Sequence, residues 1–135
     1  MESGYIHIAN NIFPTLLAIS SEEQERGLMY VEPPAPVMTF IYGHPQLNRF
    51  WMANTKAPLD ILFCHKGEVK EICFGKPNST AIIGGIQMSD LVIELPFGTS
   101  SSVGIKLGHK VGLVKPTLDE LKKIIAEKYF GIVKI

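Results

Sequence analysis

Leu59-Asp-Ile-Leu-Phe-Cys-His-Lys-Gly-Glu-Val-Lys-Glu-Ile-Cys-Phe74 is the stretch that decides the fold class. Two runs, Leu59 to Cys64 and Glu68 to Phe74, flank Lys66-Gly67, and a strand–turn–strand of this length reads as a β-hairpin. A two-residue loop there predicts Cys64 opposite Val69 and Asp60 opposite Cys73. The two cysteines of the chain then do not face each other, so both are expected to be free thiols, as suits a reducing compartment.

Working outward, the same short-strand grammar recurs. Gly4 to Asn10 alternates as a strand, and Pro14 to Ser20 can pair with it. Ser21-Glu-Glu-Gln24 has the spacing of a capping box, with Ser21 as N-cap, and predicts a short helix that Gly27 interrupts. Pro33, Pro34 and Pro36 forbid regular structure until Val37 to Tyr42, the next strand. Gly43-His-Pro45 reads as a turn, Arg49 to Met52 as a short strand, and Asn54-Thr-Lys56 with Pro58 as a polar loop. Asp90 to Leu95 is a further strand, Gly98-Thr-Ser-Ser-Ser102 is flexible by composition, and Val103 to Val114 holds one broken strand or two.

The period then changes. Thr117-Leu-Asp-Glu120 is a second capping box, and Leu118, Leu121, Ile124 and Ile125 recur at helical spacing. Gly131 is expected to end this helix, with Ile132, Val133 and Ile135 as a final edge strand. Roughly seven to nine short strands joined by turns, with two helices, predict a mostly β (α+β) domain. Its architecture is a mainly antiparallel barrel- or sandwich-like sheet with a short N-terminal helix and a C-terminal helix. Residues 1–115 form the β-rich part of a single domain, and residues 116–135 a helical extension packed on it.

Composition narrows the classes. The chain has 135 residues, enough for one domain with a real core. Lys+Arg and Asp+Glu both number 13, so the basic footprint of a nucleic-acid partner or of an anionic membrane surface is missing. Residues 3–20 carry no charge, but Asn10, Asn11 and Pro14 break up their apolar character, and Glu2 stands where a signal peptide has its basic start. A cytoplasmic location is the expectation.

Four segments together resemble a family of bacterial and archaeal proteins, domain-of-unknown-function family 192. They are Glu25-Arg-Gly-Leu-Met29, Met38-Thr-Phe40, Phe50-Trp-Met-Ala-Asn-Thr-Lys-Ala-Pro-Leu-Asp-Ile-Leu-Phe63, and Leu91-Val-Ile-Glu94 with Gly104-Ile-Lys-Leu-Gly108. The Trp-Met-x-Asn-Thr-x-x-Pro-Leu-Asp signature is the specific one. The resemblance spans roughly Tyr5 to Val111 and implies a compact β-rich fold with no established activity, substrate or cofactor. Departures from the family pattern are Val37 where glycine is usual, Val31 where arginine is usual, and His109-Lys110 where an aspartate follows the last glycine.

No phosphate cradle, nucleophile elbow or metal motif is present. Gly84-Gly85 lacks the residues that follow in nucleotide loops, and Cys64-His65 with Cys73 offers metal ligands at awkward spacing, so neither a cofactor nor a metal is expected. Adjacent strand residues point to opposite faces, so His65 is poorly placed to activate Cys64. The best candidate for a site is the Trp51 to Asp60 segment: an aromatic wall beside Asn54 and Thr55, with Asp60 as a fixed charge. The competing structural role is a turn whose Asn54, Thr55 and Asp60 satisfy local backbone groups while Trp51 fills the core. Glu94 and His109 complete the candidate ligand-binding set. Strand alternation places Val92 and Glu94 on one face, so Glu94 is expected to be exposed, or else paired with Arg49 or Lys106. The functional expectation is a non-catalytic small-ligand-binding or accessory domain. The alternatives are a hydrolase-type enzyme using Asp60 with Asn54, Glu94 or His109, and a homo-oligomer formed through the C-terminal helix or the final edge strand.

Overall fold

A computed structural model describes residues 1–128, the Leu118 side chain excepted. Among the described residues nine strands and three helices follow one another: β1 (Glu2–Ile8), β2 (Asn11–Ala18), α1 (Ser21–Arg26), β3 (Met38–Gln46), β4 (Arg49–Phe50), β5 (Leu59–His65), β6 (Glu68–Gly75), β7 (Ile83–Gly84), β8 (Ser89–Pro96), α2 (Thr99–Val103), β9 (Val111–Lys115) and α3 (Leu118–Lys128). Seven strands form one sheet in the order β6-β5-β8-β3-β2-β1-β9, and β4 pairs with β7 apart from it. The chain is mostly β, a curled half-barrel sheet with few helices. The sheet is mixed: β2 and β3 run parallel, and the other neighbours are antiparallel.

Among the described residues the two sheet edges meet at one end. The tip of the β5–β6 hairpin reaches the turn before β9, where Val69 donates to the His109 carbonyl at 3.0 Å and Gly108 donates to the Val69 carbonyl at 2.8 Å. Lys110 adds an ion pair to Glu68 at 2.9 Å. Inside the curl lie Ile6 and Ile8 of β1, Leu62 and Cys64 of β5, Ile93 and Leu95 of β8, and Val111 of β9, with Ile105 among them. The convex face carries a second core in which Met38, Phe40, Leu59, Ile61, Phe63 and Val92 pack under Leu28 and Met52. Strand β5 is therefore buried on both faces, which is why it reads as an unbroken apolar run rather than an alternating one.

Local departures from the sequence reading have identifiable causes. The β5–β6 hairpin pairs Cys64 with Val69 as expected, but a bulge between Phe63 and Cys64 shifts the register, so Asp60 faces Phe74 and Ile61 faces Cys73. Helix α1 is capped by Ser20, not Ser21. Glu23 completes the capping box, its Oε1 accepting from the Ser20 and Ile19 amides at 3.1 Å each. Gln24 turns toward the sheet instead, donating to the Ile41 carbonyl at 2.8 Å. The Gly98 to Ser102 segment, expected to be flexible, winds into α2.

The capping box of α3 forms as read: Glu120 donates its amide to Thr117 Oγ1 at 3.2 Å, and Thr117 donates back to Glu120 Oε2 at 2.9 Å. Leu121 of this helix is buried. The expected final strand, Ile132 to Ile135, lies outside the described residues. No described helix is long and apolar enough to cross a membrane. Cys64 and Cys73 are both free. Burial, then the nearby Asp90 charge, pushes the Cys64 thiol up to about 12, and burial followed by Glu71 brings Cys73 to about 11. Both are thus protonated, weak nucleophiles at neutral pH.

Candidate functional site

The registers Met38↔Glu94 and Ile61↔Glu94 put Glu94 on the convex face, directly over the second core. That face is covered, and Glu94 is only 4% exposed. The exposed or ion-paired glutamate predicted from alternation is therefore corrected. Among the described residues neither Arg49 nor Lys106 forms an ion pair with it, and its Oε1 is buried without a hydrogen-bond partner. Burial alone raises its carboxyl to about 8, because an ion stripped of water favours its neutral form.

Glu94 lies at the base of a cleft of about 400 Å3. One wall is the exit of α1, where Gly27 has φ +50° and ends the helix. A Cβ on Gly27 would stand in ordinary contact, 3.4 Å from the Phe40 ring and 3.9 Å from Glu94 Oε1, so it is the left-handed backbone, more than space, that favours glycine where this turn lies over the acid. The floor is aromatic: Phe50 meets Phe40 edge-on at 4.9 Å, and Phe63 at 5.6 Å. Tyr42 and Trp51 join the lining, and Arg49 and Arg26 bring positive charge to it. The Tyr42 hydroxyl is pushed up by burial first and by the Glu94 charge second, which places the two groups within electrostatic reach.

The predicted site residues divide between this cleft and the scaffold. Trp51, Thr55 and Glu94 line the cleft. Trp51 does not fill the core; it is 50% exposed at the cleft, and Met52 is the buried neighbour. Thr55 is buried and donates to the Ala53 carbonyl at 3.1 Å. Asn54 is exposed at φ +55°, and its carbonyl accepts from Tyr30 at 2.9 Å, tying the loop to the exit of α1.

Asp60 sits on the opposite face of the sheet from Glu94, because its neighbour Ile61 is the residue that pairs across to Glu94. Its Oδ2 accepts from the Ser100 amide at 2.9 Å and so caps the first turn of α2. His109 stands in the turn before β9, its Nδ1 accepting from the Lys106 amide at 3.0 Å. The hydrolytic pairing of Asp60 with Asn54, Glu94 or His109 is not assembled: Glu94 is on the opposite face of the sheet, His109 is beside Val69 at the far end of the β5–β6 hairpin, and Asn54 is exposed while Asp60 is buried. Asp60→Ala should lower unfolding stability by about 1–3 kcal/mol, whereas Asp60→Asn, which keeps an acceptor, should recover most of the loss. Urea titration checks this, and an alanine variant as stable as the parent would show that Asp60 is not a lock.

Reading the sequence missed Gly27, Tyr42 and Phe50 as parts of the site and cast Arg49 only as an ion-pair partner. Gly27 left a signal, the helix stop inside Glu25-Arg-Gly-Leu-Met29; the others are set by long-range packing.

The profile of DUF192, described as Uncharacterized ACR, matches residues 6–113. The chain belongs to the DUF192 family. Two solved structures share the DUF192-like fold at 29% identity. One, a proposed transcription regulator from Sinorhizobium meliloti 1021, superposes with a TM-score of 0.79 over 83% of this chain and 94% of its own. The other, a protein of unknown function from Novosphingobium aromaticivorans DSM 12444, gives 0.77 over 82% and 84%. A comparison with curated proteins finds no match. The DUF192 match ends at Leu113, just ahead of α3.

Proposed function

We propose that this protein is a small-ligand-binding domain whose site is the Glu94 cleft. The observation that supports this reading above all others is the carboxyl at its base, nearly fully buried with an oxygen that has no partner among the described residues. Buried polar atoms in folded proteins are paired in the large majority of cases, so an unpaired one at a cleft calls for a partner from outside the chain. The cleft joins aromatic surface to polar side chains that include Gln24, Asn48, Arg49 and Thr55, the mixture by which a small-molecule site fixes a ligand's orientation, and about 400 Å3 is within the usual range. The residues of the Trp51 to Asp60 segment then have two jobs: Trp51 and Thr55 face the ligand, while Asn54 and Asp60 hold the frame. Residues 116–128 are read as an extension docked through Leu121, beyond the family core. The balanced charge favours a small molecule over nucleic acid, and the two protonated thiols suit a cytoplasmic location.

Trp51 is the only tryptophan of the chain, so its fluorescence reports on the cleft. Screening a fragment library of amines, acids and alcohols should give hits that change Trp51 emission and move amide resonances of Gly27, Phe40 and Thr55. Hits that cluster elsewhere, for instance in the groove lined by Ile41, Leu113 and Leu121, would overturn the assignment.

A further inference from the structure

Glu94 and Arg49 line one cleft, carry opposite charge when ionised, and do not pair with each other. Among the described residues Arg49 has no ion pair, and its stem rests on Gly85, where a Cβ would meet Arg49 Cγ at 2.6 Å. Gly85 thus leaves the space that the stem and Nε of the exposed Arg49 occupy, and no described side chain bonds to its guanidinium. The rings of Phe40, Phe50, Tyr42 and Trp51 line the same cleft as the acid and the base. An ammonium group is attracted by aromatic faces as well as by a carboxylate, and a guanidinium takes a carboxylate in a two-pronged bond. A buried acid, an arginine and aromatic surface in one cleft are complementary to a molecule that carries both charges and an apolar body.

We infer that the cleft takes a dipolar ligand of the free amino-acid class, its ammonium group on Glu94, its carboxylate on Arg49 and an apolar body against the aromatic rings. This rests on the cleft being the binding site. Other charged or titratable groups facing it are Glu25 and Arg26 from α1 and Tyr42 from β3. Arg26 already lies 5.7 Å over the Tyr30 ring, which leaves Arg49 as the anion-binding group.

Protonation gives the ligand assignment a directional signature. In the empty cleft Glu94 holds its proton up to about pH 8. An ammonium group requires the carboxylate, so binding releases that proton. Affinity should therefore climb as pH rises from 6 toward 8, by about tenfold per unit at most, and level off above the carboxyl's own pKa. A ligand that instead accepts a hydrogen bond from the protonated carboxyl would show the reverse trend, weakening above pH 8.

The test uses three probes on the intact protein: phenylalanine, phenethylamine, which lacks the carboxylate, and 3-phenylpropionate, which lacks the amine. Calorimetric titration at pH 8 should show phenylalanine binding at least about tenfold more tightly than either, the size expected for one charge-assisted bond. Arg49→Gln should erase its advantage over phenethylamine, and Glu94→Gln its advantage over 3-phenylpropionate. Equal binding of all three, preference for 3-phenylpropionate or phenethylamine, a reversed pH trend, or no binding at millimolar concentration each overturns the inference. If Glu94→Gln fails to fold, the three-probe ranking and the pH trend on the parent protein decide alone. Fragments of another class that still move Gly27 and Trp51 would sink the dipolar ligand yet leave the cleft as the site. Fragments that bind only elsewhere would sink both.

Discussion

Unfolding stability should fall as pH is raised from about 5 to about 8, by on the order of 3–5 kcal/mol, and Glu94→Gln should remove most of that slope. Glu94 has a carboxyl near 4.5 in the unfolded chain and near 8 in the folded one. Its folded pKa is raised, so below the unfolded value both states hold the proton and stability is at its fullest. Between the two values the unfolded chain releases the proton while the folded one must keep it, and stability declines by about 1.4 kcal/mol per pH unit for a single group. Glu68, held low by its bonds to Lys110 and Lys70, works in a more acidic window and does not oppose this trend. Since small domains are stable by only about 5–15 kcal/mol, the loss is a large fraction of the whole. Urea unfolding of parent and variant at the two pH values checks it. At the lower pH the parent should equal or exceed Glu94→Gln, and at the higher pH the order should reverse. A parent whose stability is flat across this window, or a variant that keeps the slope, would mean that Glu94 is not a buried, unpaired acid.

Gly84→Val should cost about 2–4 kcal/mol, although the glycine lies in a two-residue strand near the surface. A Cβ at this position would stand 2.3 Å from Phe63 Cζ, and the backbone is at φ +78°, which a branched side chain adopts only under strain. Phe63 cannot easily move aside, because Phe50 stands edge-on to it at 5.6 Å and Phe40 braces Phe50 in turn. Pushing this row would tilt the floor of the cleft, so the near-ultraviolet signal of Trp51 should change along with the unfolding midpoint. Phe63→Leu in the same chain should relieve the clash but not the backbone strain, recovering part of the loss. Full stability of Gly84→Val would contradict the close packing of β7 on the aromatic row.

What the sequence made legible follows the range of the interactions. The β5–β6 hairpin, both capping boxes and the opposed faces of Val92 and Ile93 are local, and each was readable from spacing, the first capping box being displaced by one residue. The bulge at Phe63 and Cys64 was not, because the two-residue turn alone specifies an unbroken register. Asp60 could be marked as a charge that needed a partner, but the partner is Ser100, forty positions away. The same distance explains α2: Thr-Ser-Ser-Ser is a poor helix by propensity, and Asp60 supplies the missing cap from another strand. Glu94 is the sharpest case. Alternation gave its face correctly, yet nothing nearby in sequence says that the exit of α1 and the Arg49 to Trp51 stretch close over that face.

The sheet order has a consequence for synthesis of the chain. Strand β8 separates β3 from β5, so these two never pair with each other although both precede it by many residues. Until residue 96 has left the ribosome, β3 and β5 each present an open row of amides and carbonyls on the side that β8 will fill. Such edges invite pairing with other nascent chains. The step that joins the halves is therefore the late insertion of a central strand, a slow, nonlocal event compared with closing a hairpin. Glu94 rides on that strand, so the cleft lacks its buried acid until the insertion is complete. A molecule that grips Glu94 can recognise only chains in which β8 is in place, and its presence would draw that strand into the sheet by mass action.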